Sequence, residues 1–285
     1  MGNLKFGNET PLALYMGVSG STKAYYGTEV VFEGGSPVDY SSLYTTFEIL
    51  TGGTINFTNN LGSKTISYST NNGSSWTSVS AGDSISVSAG DKVLFKGTNG
   101  SYGDKVIDSS DVYFNAYGNM MSLIYGDNFT GKTTFTEESV FQSFFQDSHL
   151  VDASHLILPA TLITRYCYFR MFQGCTSLIS APNILPATTI APFCYSYIFH
   201  TCSSLVRAPE LPASVLADFC YFQAFYYCSS LNCIKCLATD LSSTLPTGEW
   251  TSYVSGTGTF VKNPNMSSWP SGNDGIPNGW TVQDA

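Results

Sequence analysis

Residues 167–193 read CYFRMFQGCTSLISAPNILPATTIAPF, and the chain then restarts, with CYSYIFHTCSSLVRAPELPASVLADF over 194–219 and CYFQAFYYCSSLNCIKCLA over 220–238. The leading cysteine returns after 27 and then 26 residues. A period in that range marks a coil that stacks on copies of itself. Phe172, Phe199 and Phe225 share one column, as do Leu178, Leu205 and Leu231, then Cys175, Cys202 and Cys228, and again Leu185, Leu211 and Leu237. One unit alone cannot bury such faces, so the columns are expected to stack as interior ladders. Free cysteine is a small buried hydrophobe and suits a ladder position.

A degenerate earlier unit precedes these in FQSFFQDSHLVDASHLILPAT. There Phe141, Phe144, Leu150 and Ala153 are matched to Phe169, Phe172, Leu178 and Ala181, with Asp147 and Ser148 where later units have Gly and Cys. A first repeat that has lost its column residues is typical of a terminal unit. Farther upstream, TFEIL, TINFT, TISYS, SISVS and KVLF alternate at period two between Gly and Asn turns, which predicts a small antiparallel β-sandwich. Trp76, after the NNGSS turn, is expected to pack rather than bind. At the start, LYMG at 14–17 returns as AYYG at 24–27, giving short hairpin strands too few for a core of their own. The expected organisation is a hairpin segment over 1–36, the sandwich over 37–118, the repeat array over 119–240 and a capping segment over 241–285.

Charged residues supply only 12% of the chain, about half the usual share, with 21 acids against 12 bases. Arg165, Arg170 and Arg207 are its only arginines, so a phosphate-backbone footprint is hard to assemble and nucleic acid is not an expected partner. No run of 18 apolar residues occurs, which argues against membrane insertion by a helix. The N-terminus lacks the basic and apolar regions of a secretory leader, from which synthesis without general export is expected.

GDNFTGKTTF, 126–135, fits the phosphate-loop pattern letter for letter. That chemistry also needs a parallel strand before the loop, a helix opening at Lys132-Thr133 and a magnesium-binding acid elsewhere. The surroundings read as antiparallel β before and repeats after, so Gly126 and Gly131 are expected to be turn residues and Lys132 a solvated side chain. Cys233-Ile-Lys-Cys236 is a lone pair of potential ligands with no second pair, so neither metal nor cofactor is expected. No hydrolytic constellation appears, and the chain is not expected to be an enzyme. Tyrosines beside the cysteines, Tyr168, Tyr195, Tyr197, Tyr221, Tyr226 and Tyr227, are the binding candidates, because tyrosine offers large contact area at low entropy cost.

The unit C-Y-x-x-x-F-x-x-C-[TS]-S-L-x-x-A-P-x-L-P-A resembles the BspA-like leucine-rich repeats of the Treponema pallidum type, common in gut Bacteroidetes proteins and in phages that infect them. The closing TGTFVKNPNMSSWPSGNDGIPNGWTV and the lead-in YGNMMSLIYGDNFTGKTTFTEESVFQSFF are similar to segments that flank such arrays. The N-terminal LYMGVSGSTKAYYGTEVVF is similar to the Y-x-G strands that open many phage fibre proteins. The resemblance implies a mainly β protein, an antiparallel β-sandwich followed by a short leucine-rich-repeat solenoid with a C-terminal cap. It implies a head or tail fibre or decoration protein of the virion, assembled in the host cytoplasm. Tyr15, Gly17, Tyr26 and Gly27 would dock it on other virion proteins, and the array would meet a host glycan or envelope protein. The alternative is a bacterial cell-surface adhesin of the same repeat class. Fibre proteins are often trimers, so a homo-oligomer is compatible with this reading, although no heptad pattern enforces one.

Overall fold

Period-two alternation places Ile85 and Val87 inward between exposed serines, and likewise Phe114 and Ala116 inward between Tyr113, Asn115 and Tyr117. The computed structural model describes residues 38–285 and, upstream, the backbone of β1 (Leu14–Met16), β2 (Lys23–Tyr26) and β3 (Glu29–Glu33). Two units result, Met1–Asp39 and Tyr40–Ala285. In the first, β1, β2 and β3 form an antiparallel sheet in that order, with Tyr15 opposite Tyr25 and Leu14 opposite Tyr26. Tyr15 and Tyr26 thus lie on β1 and β2, while Gly17 and Gly27 lie outside the described residues.

The second unit begins with β4 (Thr45–Ile49), β5 (Gly53–Phe57), β6 (Ile66–Ser69), β7 (Thr77–Val79), β8 (Ser84–Val87), β9 (Lys92–Gly97), β10 (Ile107–Asp108) and β11 (Tyr113–Asn119). Three of them form a small antiparallel sheet in the order β10-β5-β8. The others run β11-β4-β9-β6-β7, also antiparallel. Phe57 of the small sheet meets Phe95 of the large one at 6.5 Å, and Phe95 meets Phe47 at 4.7 Å. Trp76 is half-buried against Tyr44 at 4.9 Å, with the Lys96 ammonium 4.3 Å from its ring centre.

At β11 the sheet changes direction. Its free edge pairs in parallel with β12 (His149–Asp152) and β13 (Leu156–Ile157). On this strand Gly118 has φ of +86°, and a Cβ there would lie 2.1 Å from the Tyr44 carbonyl oxygen, so glycine is required at this position. The line then continues through single bridges from Asp152 to Ser180 to Arg207, and through four parallel strands, β14 (Arg207–Leu211), β15 (Cys233–Cys236), β16 (Thr259–Lys262) and β17 (Thr281–Asp284). The only α-helix among the described residues is α1 (Ser122–Tyr125). The structure is therefore mainly β with little helix.

Between these strands each coil carries a ribbon of four-residue turns. In 166–175, alternate amides serve different partners. Tyr168, Arg170, Phe172 and Gly174 donate to carbonyls of Cys194, Ser196, Ile198 and His200 in the next coil, while Phe169, Met171, Gln173 and Cys175 donate three residues back. Every fourth residue, Tyr166, Arg170 and Gly174, is left-handed, with φ of 57°, 57° and 75°. The same positions recur at Ser139, Ser143 and Asp147, at Phe193, Tyr197 and Thr201, at Phe219, Gln223 and Tyr227, and at Leu245, Glu249 and Tyr253. A left-handed non-glycine residue costs about 1–2 kcal/mol, which two sets of backbone hydrogen bonds here offset.

The ribbon turns two side chains in and two out. Cys167, Tyr168, Met171, Phe172 and Cys175 are buried, and Phe145, Phe172, Phe199 and Phe225 stack in one file at 5.4, 5.2 and 5.7 Å with rings within 5° of parallel. Leu178, Leu205 and Leu231 are fully buried beside them.

Three sequence expectations need correction. Phe145, not Phe144, occupies the column of Phe172, and Phe141 falls on Tyr168 rather than Phe169, because the first ribbon pairs with the second one residue out of the expected register. Cys236 lies opposite Leu211 on β15 and takes its interior place, leaving Leu237 half-buried. The segment expected to start the cap forms a fifth ribbon: Phe219, Tyr221, Gln223, Phe225 and Tyr227 donate to Thr244, Pro246, Gly248, Trp250 and Ser252. Only beyond β16 does the repeat stop, where Trp269 stacks on Trp250 at 5.7 Å.

Candidate binding surface

The two-in, two-out ribbon divides the six candidate tyrosines. Tyr168, Tyr195 and Tyr221 point inward, are at most 1% exposed and stack at 5.6 Å, within 4° of parallel. Their hydroxyls have no hydrogen-bond partner among the described residues, and burial holds all three phenols well above their usual pKa. They are core residues, and their assignment to a binding surface is corrected. Tyr197 and Tyr226 lie half-buried on the outer side, and Tyr227 is exposed.

Other aromatic residues join them there. The residue before each leading cysteine, left-handed in every coil, carries a ring outward: Tyr166 stacks on Phe193 at 5.2 Å, and Phe193 on Phe219 at 4.9 Å. A second file runs edge to face from Phe169 to Tyr197 to Phe222, each step 5.6 Å. At the last coils His200 stacks on Tyr226 at 5.0 Å, and Tyr227 on Tyr253 at 4.3 Å. Tyr253 is 60% exposed. The sequence signal for the first file was an aromatic residue immediately before each Cys-Tyr, which a repeat counted from the cysteine assigns to the previous unit.

Two cations sit on this surface. The Arg165 guanidinium lies 4.9 Å from the Tyr166 ring centre and 5.3 Å from that of Phe193, and Arg170 lies 4.8 Å from Phe169 and 5.3 Å from Tyr197. Among the described residues neither forms an ion pair. Burial, with the nearby positive charge of Arg170, lowers the His200 pKa, so this imidazole is held neutral.

All eight cysteines are free and buried, and burial pushes the thiols of Cys167 and Cys175 up to about 11 and that of Cys236 to about 12. No cluster of three His, Cys, Asp or Glu able to hold a metal occurs among the described residues. At the phosphate-loop match, Gly126 and Gly131 have φ of 53° and 76°, Lys132 is exposed with its ammonium 5.3 Å from the Tyr125 ring centre, and no helix follows. The strand side of the coils carries a shallow apolar groove of about 400 Å³ beside Ile179, Asn183 and Val206. No family model, curated protein or solved structure matches the chain.

Proposed function

We propose that this chain is a non-enzymatic structural protein of a phage virion, a head or tail fibre or decoration protein, that attaches to the host surface. In this reading the stacked coils are a BspA-like leucine-rich-repeat solenoid, the antiparallel sheets ahead of it are a β-sandwich spacer, and the N-terminal hairpin strands dock on other virion proteins. The observation that carries the attachment role is the outward aromatic surface, where two files of rings line successive coils and two guanidiniums lie close to their ring centres. Rigid aromatic and arginine side chains are the groups that dominate binding energy at protein surfaces. Here their cost of ordering is already met by stacking on one another.

The test is adsorption of the labelled full-length chain to Bacteroidetes cells. Tyr197→Ala and the double change Tyr227→Ala with Tyr253→Ala should each weaken adsorption by about tenfold or more while leaving the melting temperature within a few degrees of wild type. Unchanged adsorption across these variants would make the surface structural only.

A further inference from the structure

Resting on that attachment reading, we infer that the ligand of the aromatic surface is an acidic polypeptide segment whose carboxylates are taken by Arg165 and Arg170. The chain has 21 acidic and 12 basic residues, yet these two of its three arginines lie exposed on one ribbon with no carboxylate partner among the described residues. Each guanidinium lies within 5.3 Å of two ring centres, and that of Arg165 also donates to the Tyr166 hydroxyl at 3.3 Å, which fixes its place beside the stack. A guanidinium fixed in that way is pre-organised for bidentate bonding to a carboxylate. Charge complementarity therefore sets the sign of the partner.

Ring orientation sets its class. A sugar binds an aromatic residue by laying its C–H groups on a free ring face, and beside the two arginines the Phe193 faces are taken. Phe193 is sandwiched between Tyr166 and Phe219 at 5.2 and 4.9 Å, and Arg170 stands against both Phe169 and Tyr197. What these rings present is their edges, which are electropositive and suit carboxylate and peptide carbonyl oxygens.

The experiment titrates the full-length chain into a fluorescein-labelled poly-glutamate peptide, with polygalacturonate as the carboxylate-bearing glycan and poly-lysine as the opposite charge. Expected are saturable binding of poly-glutamate that weakens with salt, no competition by polygalacturonate at equal carboxylate, and loss of about tenfold in affinity on Arg165→Gln or Arg170→Gln. Arg170→Lys keeps the charge but not the fork, and should recover only part of that loss. Absence of poly-glutamate binding, equal binding of polygalacturonate, or indifference to both Gln variants in folded protein would overturn the inference. So would a concentration-dependent dimer in sedimentation that the Gln variants abolish, since a second acidic copy would then be the occupant. Cell adsorption separates this inference from the reading beneath it. Adsorption that survives protease stripping of the cells, yet still falls with the tyrosine variants, overturns the acidic polypeptide and leaves attachment standing. Adsorption indifferent to the tyrosine variants removes attachment itself.

Discussion

The thiol of Cys202 donates to the backbone carbonyl of Phe172, one coil earlier, at 3.0 Å. Cys175 and Cys228 make the same bond to Phe145 and Phe199 at the same distance. The Phe172 carbonyl also accepts from the Cys175 amide at 3.1 Å, so the thiol fills its second lone pair and ties successive coils through the core. Cys202→Ala removes both the bond and the sulfur's packing and should lower stability by about 1–3 kcal/mol in urea unfolding. An unchanged midpoint would mean the column is filler.

Burial of these thiols predicts their chemistry. Seven of the eight cysteines are 0% exposed and Cys233 is 8% exposed. Thiolate, the reactive form, is suppressed where burial raises the pKa, as at Cys175 to about 11. In a thiol-exchange assay the native chain should therefore show at most one fast-reacting group, with all eight reacting in denaturant. Several fast groups in the native state would contradict the closed column.

Tyr195 lies between Tyr168 and Tyr221, 5.6 Å from each, with a buried hydroxyl that has no partner among the described residues. Leaving such a group unsatisfied costs about 1–3 kcal/mol, whereas its aromatic ring packs equally well as phenylalanine. Tyr195→Phe is thus expected to raise the urea midpoint at unchanged slope. A lower midpoint would reveal a hydrogen-bond partner for the hydroxyl.

His200 gives a pH signature. Its pKa is lowered by burial and by Arg170, while in the unfolded chain it returns to about 6.5. Between those two values the unfolded state binds a proton that the folded state does not, so stability is full above about pH 6.5 and falls as pH drops toward the folded pKa. Thermal melts from about pH 8 to about pH 5 should show this decline in wild type and a shallower one in His200→Gln. Parallel profiles would rule out the imidazole as the source.

The columns were legible because identical residues return at one spacing: Phe172, Phe199 and Phe225 are found stacked where the period puts them. Inside and outside were not legible for the tyrosines. The ribbon repeats every four residues with two side chains in and two out, so neither the period of a strand nor that of a helix sorts Tyr195 from Tyr197. Register failed at Phe144 and Phe145 for a related reason: adjacent phenylalanines both satisfy the composition, and only the coil-to-coil bond from Phe145 to Met171 decides between them. The fifth ribbon was hidden because Pro246 and Val254 stand where the cysteine columns would continue. What persists there is backbone geometry, with left-handed Leu245, Glu249 and Tyr253 of three unrelated side-chain types.

Trp250 closes the interior of that last ribbon. Fully buried, it takes the place held by Ala224 one coil earlier and reaches Tyr221 at 6.2 Å and Phe225 at 6.0 Å, the ends of the two interior aromatic files. Its indole N–H donates to the Gly275 carbonyl at 2.8 Å, and Trp269 covers its far face. Trp250→Ala should therefore cost about 3–5 kcal/mol and expose the end of the stack, while Trp250→Phe keeps most of the packing and loses the bond to Gly275. Hydrogen exchange localises the effect: the Phe225 and Tyr227 amides, which donate into the fifth ribbon, should lose protection first, and the Tyr168 and Arg170 amides last. Uniform loss along all coils would mean instead that the array opens as one unit, with Trp250 acting on global stability rather than as a local end piece.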